Sequence, residues 1–259
     1  MDALIGWTGL VGATLAGARA FDARFRSIDI DSMRGRRWGL VVCAGVRAEK
    51  WKANRDPASD AAGIAALTAV LDTVEIERLV LISTADVYPV PTDVDERSMI
   101  DPNAAQPYGR HRLALERFCA ERFPATIVRL PGLFGAGLKK NAIFDLLHAN
   151  GVDRIHPASR YQFYNLARLW PDIERVLAAG IPLVNLTAEP LSMAEIAASA
   201  LGRTLVPAGD VVPASYDIRS EHAARFGGAD GYWYGATQTL DEITAFVEQE
   251  RRRLAGPHQ

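Results

Sequence analysis

The chain opens on "ALIGWTGLVGATLAGARA" (residues 3–20), and the glycine spacing in this stretch constrains the fold more than any other feature. Ala3 to Ile5 read as a short buried strand. Gly6, Gly9 and Gly12 then fall as GxxGxxG and open a run of small residues that reads as a helix. Glycine lets a chain turn tightly between strand and helix, and lets a diphosphate approach the backbone at the helix's positive end. Used for packing alone, the same residues would bring strand and helix close together.

The stretches that follow keep the alternation. Leu40 to Cys43, ending in Ala44-Gly45, Arg78 to Ser83 ("RLVLIS") and Thr126 to Leu130 ("TIVRL") are short apolar runs. Ala58 to Asp72 and Tyr108 to Arg122 carry apolar residues at helical spacing between them. Strands buried on both faces read as continuous apolar runs, and their alternation with helices implies parallel pairing. The expectation is an α/β fold, a doubly wound parallel sheet. After Pro131 the segments shorten: 141–149, 173–179, 182–186, 192–201 and a last helix from Leu240 to about Leu254. They predict a small C-terminal α/β lobe over the carboxyl edge of the sheet, where open α/β folds bind ligands.

The GxxGxxG spacing resembles that of the short-chain dehydrogenase/reductase superfamily, in its extended or atypical branch of nucleotide-sugar epimerases, dehydratases and reductases. Four later stretches resemble the same branch in the same order: "VVCAG" (41–45), "LISTADVYP" (81–89), "PYGRHRLALE" (107–116) and "VRLPGLFGAG" (128–137). The resemblance implies a Rossmann-type dinucleotide-binding core over residues 1–137. Residues 138–259, where it weakens, are expected to form a small substrate lobe with elements returning to the core.

On that resemblance Gly6, Gly9, Leu10, Val11 and Gly12 meet the pyrophosphate of NAD or NADP, and Ala44 and Gly45 lie along the cofactor. Tyr108 is the general acid/base. Thr84 orients the substrate oxygen, with Ser83 beside it at the cofactor. Tyr88 packs or lines the pocket. Tyr108 and Arg112 are i and i+4 and share a helix face. A cation there lowers a tyrosine's pKa toward working pH. The superfamily carries lysine at position 112, and Arg112 is a departure. A guanidinium keeps the charge but is planar, larger and demands fork-like geometry. Arg112 is therefore expected either to bind the ribose and tune Tyr108, or to form a surface ion pair with Glu116 in a protein without turnover.

Two further departures matter. The helix "DAAGIAALTAVL" lacks the asparagine the family uses for a water relay. Dehydratases place two acidic residues after the threonine, whereas here they are Ala85 and Asp86. Asp86 is either an acid near the substrate or a solvent-facing or capping residue. The second strand, which discriminates NAD from NADP, lies in "FDARFRSIDIDSMRG" and aligns two ways. Its end falls at Arg26-Ser27, with Asp29 near the adenine as in dTDP-4-dehydrorhamnose reductases, favouring NADP, or at Asp31, favouring NAD. Asn141 and Arg160 are nominated for the substrate, with Arg219 and Arg225 as further anion contacts. "GYWYG" (231–235) reads as an aromatic packing cluster.

Composition bounds the partners. A net charge of −2 with no basic block argues against nucleic acid. No apolar window approaches the ~20 residues of a membrane span, no cationic leader opens the chain, and two separated cysteines suit a reducing compartment. A cytoplasmic protein acting on a small-molecule substrate is expected, with a homodimer through "RLALERF" (112–118) as the family's option. The function expected is an NAD(P)-dependent oxidoreductase or epimerase acting on a hydroxyl or carbonyl. The alternative is a dinucleotide-binding sensor or scaffold.

Overall fold

A computed structural model of the chain describes residues 1–206 and 211–256. The chain divides into two compact units. The first comprises residues 1–90, 98–130 and 168–185, and the second 91–97, 131–167 and 186 onward. Residues 131–137 thus group with the second unit, and 168–185 return to the first.

Strands and helices are numbered in chain order. In the first unit β1 (Ala3–Ile5), β2 (Ala23–Phe25), β3 (Arg37–Cys43), β4 (Glu75–Thr84), β6 (Ala125–Leu130) and β10 (Leu183–Asn185) form one sheet. Its order is β10-β6-β4-β3-β1-β2, and every pairing is parallel. Helices α1 (Leu10–Ala18), α2 (Lys50–Arg55), α3 (Pro57–Leu71), α4 (Pro107–Arg122) and α6 (Leu169–Ala178) flank it. The doubly wound fold expected from the alternation is the one observed. The compressed segment after β2 makes a single 3-10 turn, Ile30–Met33, before β3. Strand order therefore reverses between β1 and β3, and such a switch point opens a crevice at the carboxyl ends of the strands.

Alternating strand residues fill the two faces. Ala3, Ile5, Val41, Cys43, Leu79, Leu81 and Ile127 pack with α3 and α4 through Ile64, Leu67, Leu71, Leu115 and Cys119. Trp38 closes this cluster edge-on against Phe25, with ring centroids 5.6 Å apart. Both cysteines are buried and unpaired, and burial pushes the Cys43 thiol up to about 11, so neither is a nucleophile at neutral pH.

One residue of an otherwise apolar strand is charged. Arg129 of β6 is buried and meets the buried Glu116 of α4 side-on, with Nη2 to Oε2 at 2.6 Å and Nε to Oε1 at 3.1 Å. Its Nη1 donates to the Tyr88 hydroxyl at 2.8 Å, which also accepts from Asn185 Nδ2 at 2.9 Å. Glu116 is thus the partner of Arg129, not of Arg112.

In the second unit β5 (Thr92–Val94) pairs in parallel with β12 (Asp217–Ile218), β7 (Gly132–Phe134) with β9 (Phe163–Asn165), and β8 (Arg160–Tyr161) runs antiparallel to β11 (Leu191–Ser192). Helices α5 (Ala142–His148), α7 (Met193–Leu201) and α8 (Ala236–Ala255) share a core of Phe134, Ile143, Leu146, Ile196, Ile243 and Val247. Helix α7 begins with a capping box between Ser192 and Glu195. Gln162 is buried and ties three segments, donating to the Ala188 and Ile218 carbonyls at 2.7 Å and accepting from Ile218 N–H at 2.8 Å.

Replacing Glu116 with alanine leaves the Arg129 guanidinium buried without a counter-charge. The expected loss is about 3–5 kcal/mol, read as a fall in the urea midpoint at unchanged slope.

Candidate functional site

The glycine turn lies at the switch point. Gly6 has φ of +84°, and a Cβ there would lie 2.4 Å from the Ala44 carbonyl oxygen. A Cβ at Gly12 would fall 2.1 Å from the Gly6 oxygen, and one at Gly45 2.7 Å from an Ile5 side-chain carbon. Packing alone therefore accounts for these three glycines. It does not account for Gly9, where a Cβ would make only ordinary contact at 3.6 Å. Gly9 is exposed, caps α1 with no side-chain hydrogen bond, and leaves the first-turn N–H groups of Leu10, Val11 and Gly12 bare of a side-chain cap. A backbone bared beyond the needs of packing, at the positive end of a nine-residue helix, fits a diphosphate.

Strand β2 ends at Phe25, whose carbonyl accepts the Gly6 N–H at 2.7 Å. Arg26 and Ser27 therefore stand directly at its carboxyl end, and Asp31 lies in the following 3-10 turn, paired with Arg34 at 2.8 Å. The strand end thus falls where the first of the two alignments puts it. Asp29 accepts the Arg26 N–H and pairs with its guanidinium at 3.0 Å; the backbone hydrogen bond, followed by the guanidinium, holds the Asp29 carboxyl below the usual range.

Thr84 terminates β4, and Tyr108 stands in the first turn of α4. Proline at the first helical position starts α4 there, and Asn54 of α2 accepts the Tyr108 N–H at 3.0 Å. Gly109 lets the helix come close: a Cβ at this position would lie 2.1 Å from the Asp86 carbonyl oxygen. The result is a buried phenol at the carboxyl end of β4, with the Thr84 hydroxyl among the groups that act on its charge. Burial is the largest influence on this phenol and holds its pKa above the ordinary tyrosine value. The Arg112 guanidinium opposes burial most, the Asp86 carboxylate adds to it, and the Thr84 hydrogen bond and the Lys50 ammonium pull the other way. At neutral pH the group is a proton donor.

Arg112 does share the Tyr108 face, with its guanidinium carbon 3.7 Å from the ring centroid. Its donors are directed elsewhere. Nη1 and Nη2 take the Asp60 carboxylate of α3 end-on at 2.6 and 2.9 Å, Nη2 donates to the Arg47 carbonyl at 2.6 Å, and Nη1 to the Tyr108 carbonyl at 3.0 Å. A guanidinium has five N–H donors, so these four bonds leave little for a ribose. The expected surface pair with Glu116 is not formed, because Arg112 is only 4% exposed and its carboxylate partner is Asp60. His111 places Nδ1 2.8 Å from the same carboxylate.

Other nominated residues have local partners. The Ser83 hydroxyl donates to Glu116 rather than facing outward. Asp86 pairs with Lys50 at 2.7 Å, and its N–H is capped by the Thr84 hydroxyl oxygen at 3.1 Å. Within the second unit Asn141 caps α5 through Phe144 N–H at 3.1 Å, and Arg160 donates to the Pro190 carbonyl at 2.7 Å. Arg219 pairs with Asp217 at 3.0 Å, and Arg225 is exposed. In "GYWYG", Trp233 stacks on Phe226 with centroids 4.4 Å apart, as a packing cluster should. Sequence reading missed Lys50, Asn54, Asp60 and Gly109. Only Gly109 carried a local signal, a glycine inside a helix; the others act across the fold.

Among the described residues no group of three or more His, Cys, Asp or Glu could hold a metal, and no helix is long and apolar enough to cross a membrane. Residues 39–158 match the model of the NAD dependent epimerase/dehydratase family. The glycine turn precedes that match, and the Thr84, Tyr108 and Arg112 cluster lies inside it. No curated protein matches the chain by sequence. Among solved structures it is similar to a dTDP-4-dehydrorhamnose reductase from Clostridium acetobutylicum, at 15% identity over 97% of this chain and 100% of that one, TM-score 0.72. It is similar also to RMD from Pseudomonas aeruginosa, complexed with NADPH, at 17% identity over 96% and 99%, TM-score 0.71. A third is the dTDP-glucose 4,6-dehydratase DesIV of Streptomyces venezuelae, with NAD and TYD bound, at 16% identity over 97% of each chain, TM-score 0.72. The fold is that of these solved structures, and the family likeness read from the motifs holds over residues 39–158.

The Asp60 carboxyl loses to burial but gains more from the Arg112 and His111 hydrogen bonds, and its pKa is held below the usual value. A depressed carboxyl stabilises the fold above its unfolded pKa and stops doing so as pH falls through the folded one. Asp60→Asn is expected to cost about 3 kcal/mol at pH 7. The deficit should begin to shrink as pH drops below about 4, where the unfolded carboxyl takes up a proton, and should go on shrinking as pH falls through the lower folded value. Urea melts of both proteins from pH 7 to 3 measure it.

Proposed function

We propose that the chain is an NAD(P)-dependent oxidoreductase or epimerase acting on a hydroxyl or carbonyl of a sugar nucleotide or a related small molecule. The observation that carries this reading is the buried Tyr108 phenol, held over Arg112 and acted on by the Thr84 hydroxyl at the carboxyl end of β4, in the sheet whose β1 runs into a glycine turn open to a diphosphate. In it Gly6, Gly9, Leu10, Val11 and Gly12 hold the pyrophosphate, and Ala44 and Gly45 border the dinucleotide. A dinucleotide held there would supply the hydride acceptor or donor. Tyr108 gives the proton to the reacting oxygen or takes it, and Thr84 orients that oxygen by a second hydrogen bond. Arg112, fixed over the ring, stabilises the phenolate that forms when the proton leaves.

Arg26 at the end of β2 supports NADP over NAD, because a guanidinium there suits a 2′-phosphate. Asp86, beside Thr84, is the acidic group best placed at the reacting centre, whereas the capping role of Asn141 and the carbonyl contact of Arg160 support structural duties first. A second reading, a dinucleotide-binding sensor or scaffold without turnover, draws support from one observation: Arg112 spends four N–H donors within the protein.

The deciding experiment assays the purified protein with NADPH and NADH against dTDP- and UDP-linked 4-keto sugars and their alcohols. Tyr108→Phe is expected to lower kcat by about 10²–10⁴ while leaving the dinucleotide Kd within a few-fold. Tight dinucleotide binding with no turnover by the wild type across the panel would establish the sensor reading instead. Arg26→Ala is expected to weaken NADPH at least tenfold and NADH little.

A further inference from the structure

At position 112 a lysine would do two things with one group: set a positive charge beside the phenol and donate hydrogen bonds to the cofactor's ribose. Arg112 does the first from 3.7 Å above the ring. For the second it would have to abandon Asp60 or the carbonyls of Arg47 and Tyr108, and so strand a charge in a site where it is only 4% exposed. The ribose contact therefore needs another cation.

Lys50 is placed for it. It opens α2, seven residues beyond Cys43, the last residue of β3. Lys50 and Asn54 are i and i+4 and share a face of α2. Asn54 accepts the Tyr108 N–H at 3.0 Å, which seats that face against the start of α4. Lys50 Nζ lies 2.7 Å from Asp86 Oδ1, the Asp86 N–H bonds the Thr84 hydroxyl at 3.1 Å, and both the Lys50 ammonium and that hydroxyl act on the phenol. The side chain is 45% exposed. A compact ammonium on a four-carbon stem can swing between a carboxylate and a ligand, which a guanidinium locked by a fork cannot.

We infer that the two duties are divided between elements: Arg112 supplies the fixed charge at the phenol, and Lys50 donates from α2 to the hydroxyls of the nicotinamide ribose. The inference rests on the dinucleotide-binding reading above. Lys50 is then a cofactor-contacting residue replaced in space rather than in sequence. It also explains how arginine is tolerated at position 112.

The test reads binding and needs no turnover. Binding of NADP⁺ and NAD⁺ is first measured by calorimetry, and the protein is then reductively methylated with formaldehyde and dimethylamine–borane, with and without the tighter dinucleotide at saturation. Peptide mass spectrometry follows Lys50 against Lys52, which is 54% exposed and pairs with Glu49 at 2.6 Å. The expected result is Lys50 methylation slowed at least tenfold by the dinucleotide with Lys52 unchanged. Lys50→Met should also raise the dinucleotide Kd about tenfold, and Lys50→Arg should restore part of it. Methylation of Lys50 at one rate in both samples, or wild-type affinity in Lys50→Met, overturns the inference and leaves the dinucleotide reading standing. Absence of binding by the wild type overturns both, and the calorimetry shows it before any methylation.

Discussion

The position of Tyr108 depends on how closely α4 can approach the end of β4. With any side chain at position 109, the helix would meet the Asp86 carbonyl at 2.1 Å and would have to lift away. Glycine removes that obstacle in the first turn, and Asn54 pins the adjacent N–H. About two turns further along the helix, Glu116 reaches the buried Arg129 of β6. A close backbone contact near one end and a buried ion pair toward the other leave the helix little freedom to slide. The phenol is therefore fixed at the end of β4 by contacts within the protein. Such preorganisation is what proton transfer to a reacting oxygen demands.

The same helix shows how burial reassigns a charge. A guanidinium taken out of water must find a carboxylate and carbonyls to satisfy its donors. Arg112 finds Asp60, Arg47 and Tyr108. Its charge still acts on the phenol, because Coulomb attraction works through the ring face without a shared hydrogen bond. Charge and donor capacity travel together in lysine and come apart here. Conserving a positive charge in a motif is therefore a weaker guide to ligand contact than it looks on paper.

Much of the architecture was legible because it rests on local rules. The apolar runs ending at Ile5, Cys43 and Leu130 are strands because both their faces are covered, and Pro107 starts a helix where a missing N–H costs nothing. "TIVRL" was legible as a strand but not as the seat of a buried ion pair, since the Glu116 that permits Arg129 lies 13 residues earlier on another element. The lobe segments were harder to use: Asn141 and Arg160 were nominated by position, whereas their side chains cap a helix and bond a carbonyl.

By itself the sequence determined the sheet, the glycine turn, and the pairing of a tyrosine with a cation one helical turn away, because each follows from spacing along the chain. Only the tertiary structure decided what those groups touch. Asp60 lies 52 residues from Arg112, Asn54 lies 54 from Tyr108, and Lys50 lies 36 from Asp86. No periodicity links positions that far apart. They come together because parallel strands bring the ends of successive crossovers to one edge of the sheet, and the partners of a buried charge are whatever that edge supplies.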